Sequence, residues 1–122
     1  MPRALVADDS LSMRKVLTHF LGAAGITDVD HAVDGAEALV LGKKNAYDVI
    51  LLDWNMPKFT GIEVLRRYRT SGVTAPVLMV TTEVERGKVL EAVELGAAGY
   101  VMKPFDQDTL VSRVRQAMAR AG

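Results

Sequence analysis

Asp8, Asp9, Asp53, Thr81 and Lys103 each stand at or just past the end of a short apolar run, and together they have the side chains of a phosphoryl-transfer site. Two ionised carboxylates about 4 Å apart repel by roughly 4 kcal/mol at an effective dielectric near 20, so three at one rim need an offsetting charge. A hard divalent cation supplies it. Mg²⁺ takes oxygen ligands, keeps several waters, and is commonly held by one or two carboxylates plus phosphate oxygens. An aspartate also serves as a covalent phosphoryl acceptor. Lysine adds a flexible point charge for a phosphate oxygen, and threonine adds a hydroxyl donor. Positioning and charge neutralisation do most of the catalysis in such chemistry.

Taken singly, each residue has a plainer reading. Asp8-Asp9 serves as a turn or a helix cap, and Asp53 as an Asx turn before Asn55 and Pro57. Thr81-Thr82 caps a following helix, and Lys103 is a solvated surface lysine. What favours the chemical reading is that all of them fall at the carboxyl ends of core strands.

Those strands are legible as unbroken apolar runs at Ala4–Ala7, Val49–Leu52, Val77–Val80 and Tyr100–Met102. Runs of this length suit parallel strands covered on both faces. Asp28–Val33 alternates instead and suits an edge strand. Helical stripes lie between the runs. Met13, Val16, Leu17, Phe20, Leu21 and Ala24 mark one, with Ser10 or Ser12 as its cap and Gly25 as its stop. Ala36, Leu39 and Val40 mark a shorter one that stops near Gly42. Ile62, Leu65 and Tyr68 mark a third, ending at Ser71-Gly72. Val89, Ala92 and Val93 mark a fourth, ending at Gly96, and Leu110, Val111, Val114, Ala117 and Met118 mark the last. Five strand–helix units with short connections imply right-handed crossovers and a flavodoxin-like α/β fold, a doubly wound parallel sheet in order 2-1-3-4-5 with helices on both faces. Ligands bind such sheets at the strands' carboxyl ends.

Composition bounds the rest. A chain of 122 residues is one domain, read here as spanning 1–122, and the absence of cysteine excludes disulfides, thiolate metal sites and a cysteine nucleophile. Fifteen basic residues balance fifteen acidic ones, which argues against nucleic-acid binding by this chain alone. No apolar run approaches the roughly 18 residues needed to span a bilayer, and Asp8-Asp9 interrupts any signal sequence, so a cytoplasmic protein without a membrane partner is expected.

Asp8-Asp9, Asp53, Thr81 and Lys103-Pro104, at separations of 44, 28 and 22 residues from Asp9 onward, together resemble the receiver domain of two-component response regulators over nearly the whole chain. Asp53-Trp54-Asn55-Met56-Pro57 with Gly61 is similar to that family's phosphorylation loop. The resemblance implies Asp53 as phosphoacceptor, with Mg²⁺ bound by Asp9, Asp53 and the Asn55 backbone carbonyl, and Asp8 acting through a metal-bound water. It implies a Lys103 contact to the phosphoryl group and a cis Lys103–Pro104 bond. Thr81 would move to the phosphate and Tyr100 would rotate into the space it leaves. Asn55 and Glu83 would tune the phosphate's lifetime. Asp9-Ser10-Leu11-Ser12-Met13-Arg14 and Thr81-Thr82-Glu83 are most similar to the stand-alone chemotaxis (CheY-type) branch. That likeness implies a CheA-like sensor histidine kinase as donor and a downstream target such as a flagellar motor switch protein. It also implies a phosphatase, a monomeric state, and no enzymatic role beyond the chain's own phosphorylation and dephosphorylation. The target surface would be the fourth helix, fifth strand and fifth helix, where Arg86, Val89, Tyr100 and Arg113 fall. Thr60, Arg86 and Arg113 depart from the residues familiar at those places, which bears on the choice of target, since Arg and Lys differ at contacts. The alternative within the family is the receiver of a longer regulator, or a single-domain receiver outside chemotaxis.

Rival readings are weaker. A flavodoxin needs a hydroxyl- and glycine-rich phosphate loop where this chain has Asp8-Asp9-Ser10-Leu11-Ser12. Aspartyl-phosphate phosphatases place their nucleophile in an Asp-x-Asp pattern after the first strand. Neither Gly-rich nucleotide motif occurs. His19 and His31 do not pair for a metal. Met13, Met79, Met102 and Met118 read as core filling, Arg66, Arg67 and Arg69 as a solvated helix face, and Trp54 as an optical reporter beside Asp53.

Overall fold

The computed structural model describes residues 2–82 and 86–121. Five strands, β1 (Arg3–Ala7), β2 (Asp28–Ala32), β3 (Val49–Asp53), β4 (Val77–Thr81) and β5 (Gly99–Met102), alternate with five helices, α1 (Leu11–Ala23), α2 (Gly35–Lys44), α3 (Gly61–Thr70), α4 (Arg86–Glu94) and α5 (Gln107–Ala121). The sheet is parallel throughout, in the order β2-β1-β3-β4-β5, as expected.

The unbroken apolar runs are explained by two cores. Successive strand residues point to opposite faces. Ala4, Val6, Val49, Leu51, Leu78 and Val80 pack with Leu17 and Leu21 of α1 and Leu110, Val114 and Ala117 of α5. Leu5, Ala7, Ile50, Leu52, Val77 and Met79 pack with Ala38 of α2, Val64, Leu65 and Tyr68 of α3 and Ala92 of α4. With water excluded from both faces, neither alternate position tolerates a polar side chain.

Local signals fix the helix starts. Ser10, not Ser12, caps α1 by accepting from the Met13 N–H. Asp34 caps α2, and Thr60 caps α3 in a reciprocal box with Glu63. The Thr60 that departs from the family's usual residue is therefore a helix cap here. Helix α2 runs past Gly42 to Lys44. Gly42 is not a stop but a close packing point, since a Cβ there would lie 2.4–2.5 Å from the Tyr68 ring and hydroxyl. Tyr68 is fully buried, and its hydroxyl donates to the Ala38 carbonyl, so it has no room to yield. Gly42→Ala is expected to lose about 1–3 kcal/mol of stability by overpacking, read as a lower urea midpoint; an unchanged midpoint would show that α2 shifts freely.

Two expectations are corrected. Strand β5 is the second edge of the sheet, so only Val101 of its apolar run is buried, and Met102 is 49% exposed rather than core. Arg69 is not solvated. Its guanidinium donates to the carbonyls of Val73, Ala75, Leu95 and Gly96, joining the ends of α3 and α4. Its neighbours Arg66 and Arg67 are exposed, as expected, and each has a surface partner: Arg67 stacks 4.5 Å from the Phe59 ring centroid, and Arg66 pairs with Glu91 of α4.

Candidate functional site

The site is built where β1, β3, β4 and β5 end together. Asp8 follows β1 and donates its N–H to the Ala32 carbonyl at 3.1 Å, continuing the ladder to β2. Asp53 is the last residue of β3, and the Trp54 N–H donates to the Val80 carbonyl at 3.0 Å. The Lys103 N–H donates to the Thr81 carbonyl at 2.7 Å, which sets the start of the β5–α5 loop beside the end of β4. Backbone pairing thus delivers all the expected strand-end residues to one rim. The Lys103–Pro104 bond is cis.

Asp8, Asp9 and Asp53 each offer a carboxylate oxygen within 4.8 Å of the others. Asp8 and Asp53 are buried and Asp9 is exposed. The Lys103 ammonium sits between the buried pair, 3.1 Å from Asp8 Oδ2 and 3.3 Å from Asp53 Oδ1. The other Asp8 oxygen accepts the Ser10 N–H at 2.8 Å. Burial, and next the charge of Asp8, push the Asp53 carboxyl up to about 6; Lys103 and the Asn55 N–H act in the opposite sense. Such a half-buried carboxylate trio fits a hard divalent cation by donor type, charge and separation.

The remaining candidates divide. Thr81 is buried at the end of β4, next to the site. Tyr100 lies opposite Met79 on the edge strand and is 40% exposed, so its ring is turned to solvent. Asn55 is exposed in the β3–α3 loop. Val89 is half-buried on α4 and Arg113 is exposed on α5. Glu83 lies outside the described residues, as does the side chain of Arg86. A depression of about 740 Å³ is at the opposite end of the sheet, between the loops after α2 and α3, and holds none of these residues.

One contributor was overlooked. Arg14 of α1 is buried, and its Nη1 donates to the Asp8 backbone carbonyl at 2.6 Å. It braces the acidic turn from below and adds a fixed positive charge there. Its helical position carries the signal: Arg14, Leu17 and Leu21 share the buried face of α1. An arginine on that stripe had to find a partner inside.

Residues 4–115 match the family of the response regulator receiver domain, and the chain belongs to that family. Among its relatives, the chemotaxis protein CheY of Pseudomonas aeruginosa is 37% identical over 97% of this chain and 97% of its own length. The receiver domain of Francisella response regulator 1452 superposes with a TM-score of 0.90 at 34% identity, covering 100% of both chains. Chemotaxis protein CheY4 of Vibrio cholerae superposes with a TM-score of 0.85 at 39% identity, over 96% of this chain and 98% of that one.

Proposed function

We propose that this chain is a Mg²⁺-dependent phospho-receiver in two-component signalling, with Asp53 as the phosphoacceptor. The observation that carries the reading is the convergence of three carboxylates on one lysine that bonds two of them. Asp9, Asp53 and the Asn55 carbonyl would hold the cation directly, and Asp8 through water. Bound there, Mg²⁺ supplies positive charge to phosphoryl oxygens. An Asp53 carboxylate oxygen attacks the phosphorus of a sensor kinase's phosphohistidine. The P–N bond breaks, its electron pair leaves with the imidazole, and an acyl phosphate remains on Asp53. Lys103 turns from the carboxylates to the phosphoryl oxygens, and Thr81 donates its hydroxyl to them. The chain catalyses only its own phosphorylation and dephosphorylation.

The output follows as a two-state equilibrium. Phosphate favours the active state only through contacts it makes better there. Reversing a 1:99 population takes roughly 5.5 kcal/mol, which a few charge-assisted hydrogen bonds at about 1.5–3 kcal/mol each supply. Tyr100, outward in this structure, rotates inward as Thr81 moves. The face of α4, β5 and α5 then meets a downstream target in the cytoplasm. The likeness to chemotaxis proteins supports a CheA-like kinase and a motor switch target. The equally close Francisella receiver, whose name says nothing of chemotaxis, supports the second reading of a receiver serving another output.

Mg²⁺ followed by acetyl phosphate should quench Trp54, which is buried beside Asp53, and add one phosphoryl mass. If neither the quench nor the mass gain occurs, the proposal fails. The raised Asp53 carboxyl gives a pH test. The nucleophile is the carboxylate, so at subsaturating Mg²⁺ uptake falls as pH drops through about 6. Saturating Mg²⁺ moves that midpoint down, because a cation favours the ionised form. A flat profile under both conditions would remove Asp53 ionisation from the rate.

A further inference from the structure

The loop after β3 is held in a shape its own sequence disfavours. Lys58 has φ of 71°, the left-handed region that strains a residue with a Cβ. The Phe59 N–H donates to the Pro57 carbonyl at 2.8 Å, closing a γ-turn around Lys58. With positive φ at its centre, this is the rare and strained form of that turn. A strained backbone persists only where its surroundings over-determine it.

Here the surroundings are the first residues of α2. The Gly35 N–H donates to the same Pro57 carbonyl at 3.2 Å. Phe59 lies directly on Gly35, where a Cβ would come within 2.2 Å of the Phe59 carbonyl oxygen. Lys58 Nζ pairs with Asp34 Oδ2 at 3.2 Å, and the lysine side chain is 65% exposed while that of Asp34 is only 13% exposed. Asp34 is itself fixed, because its other oxygen caps α2 by accepting the Glu37 N–H at 2.7 Å. Lysine thus reaches from solvent onto an anchored carboxylate. An ion pair this exposed adds little to global stability. Its effect is local: it opposes relaxation of the strained turn.

We propose that Lys58 and Asp34 are positioning residues for the metal site, their ion pair fastening the γ-turn to α2 and so fixing the Asn55 backbone carbonyl three residues upstream. The inference rests on the receiver reading, which makes that carbonyl a ligand. It also accounts for a lysine at a position whose backbone favours glycine.

The test uses the full chain with Lys58→Met, Lys58→Arg and Asp34→Asn; asparagine keeps the helix cap. Amide hydrogen exchange at Gly35 and Phe59 is followed without metal, and Mg²⁺ affinity by Trp54 fluorescence and calorimetry. Lys58→Met and Asp34→Asn are expected to speed exchange at both amides by about two- to fivefold while α3 is unchanged, and to weaken Mg²⁺ binding by about two- to fivefold, the range open to one partly exposed ion pair. Lys58→Arg keeps the pair and stays at the parent values. The sign is diagnostic: removing a cation near an acidic site tightens Mg²⁺ binding by charge alone, so weaker binding in Lys58→Met reports lost positioning. Unchanged exchange, or tighter Mg²⁺ binding in Lys58→Met, overturns the inference. A parent chain that binds no Mg²⁺ overturns the receiver reading instead, and the exchange data still decide whether the pair fastens the turn.

Discussion

Asp53→Asn will take up no phosphoryl group from acetyl phosphate and Mg²⁺, and without metal it will be more stable than the parent. The first effect is chemical. A carboxamide has no anionic oxygen to attack phosphorus, and the neighbouring carboxylates do not replace it: Asp8 has both oxygens engaged, and Asp9 stands exposed at the rim. The second effect is electrostatic. The folded chain raises the Asp53 carboxyl from its ordinary 3.8 to about 6, chiefly by burial and then by the charge of Asp8. The folded state therefore holds this proton more tightly than the unfolded chain does. That stability is complete below about pH 4 and is lost as pH rises to about 6. At neutral pH the parent carries an ionised, unfavourably placed carboxylate, and the amide removes it. Discounted for solvent screening, the gain is on the order of 1–2 kcal/mol. Urea unfolding across this pH window and intact mass after acetyl phosphate check both parts. A labelled Asp53→Asn chain would sink the acceptor assignment, and a variant less stable than the parent near pH 7 would show that Asp53 is held by contacts stronger than the repulsion it meets.

The strand ends were legible because they obey one rule: a buried parallel strand admits no polar residue on either face. The first polar residue after Val6-Ala7, Leu52, Val80 or Met102 therefore marks the rim. That rule gave Asp8, Asp53, Thr81 and Lys103, and the strand order brought them together. It misled at β5, where Tyr100 and Met102 form an apolar run but lie on an edge strand with one side open. Composition does not distinguish a covered strand from an edge that keeps apolar residues exposed. Arg14 and Arg69 were missed for a related reason. Both are arginines on a helix, and the default for arginine is solvent. Only the stripe of Leu17 and Leu21 marks Arg14 as buried. For Arg69 the sequence holds no mark, because its four carbonyl partners come from the ends of two helices and the entry to β4. The γ-turn at Lys58 is equally silent. Glycine or asparagine would have announced a positive φ, and a lysine does not. The strain is overcome by α2, a segment distant in sequence.

Lys103→Met will separate two quantities that a purely structural lysine would move together. In this structure Asp8 and Asp53 share the Lys103 ammonium, whose side chain is only 14% exposed. Removing it leaves two buried carboxylates facing each other beside Asp9. Breaking a fully buried pair costs about 3–5 kcal/mol. Here a carboxyl is able to take up a proton and the rim is partly open, so a loss of about 2 kcal/mol in the metal-free protein is expected. Lys103 is one of the groups holding the Asp53 carboxyl down, so its loss moves that carboxyl further up. Well above that range, at about pH 8, the Asp53 carboxyl is ionised and its charge is no longer offset by the lysine. Mg²⁺ then binds about tenfold more tightly than to the parent, equivalent to about 1.4 kcal/mol, and restores more stability to the variant than to the parent. Phosphoryl uptake moves the other way. The charge that meets the phosphoryl oxygens is gone, and the rate falls at saturating Mg²⁺, where cation binding no longer limits it. Trp54 fluorescence gives the Mg²⁺ affinity, and intact mass against time gives the uptake rate. Weaker Mg²⁺ binding together with slower uptake would mean that Lys103 only holds the rim in shape. Tighter binding with slower uptake identifies it as the charge that both substitutes for the cation in the resting site and contacts the phosphoryl group in the loaded one.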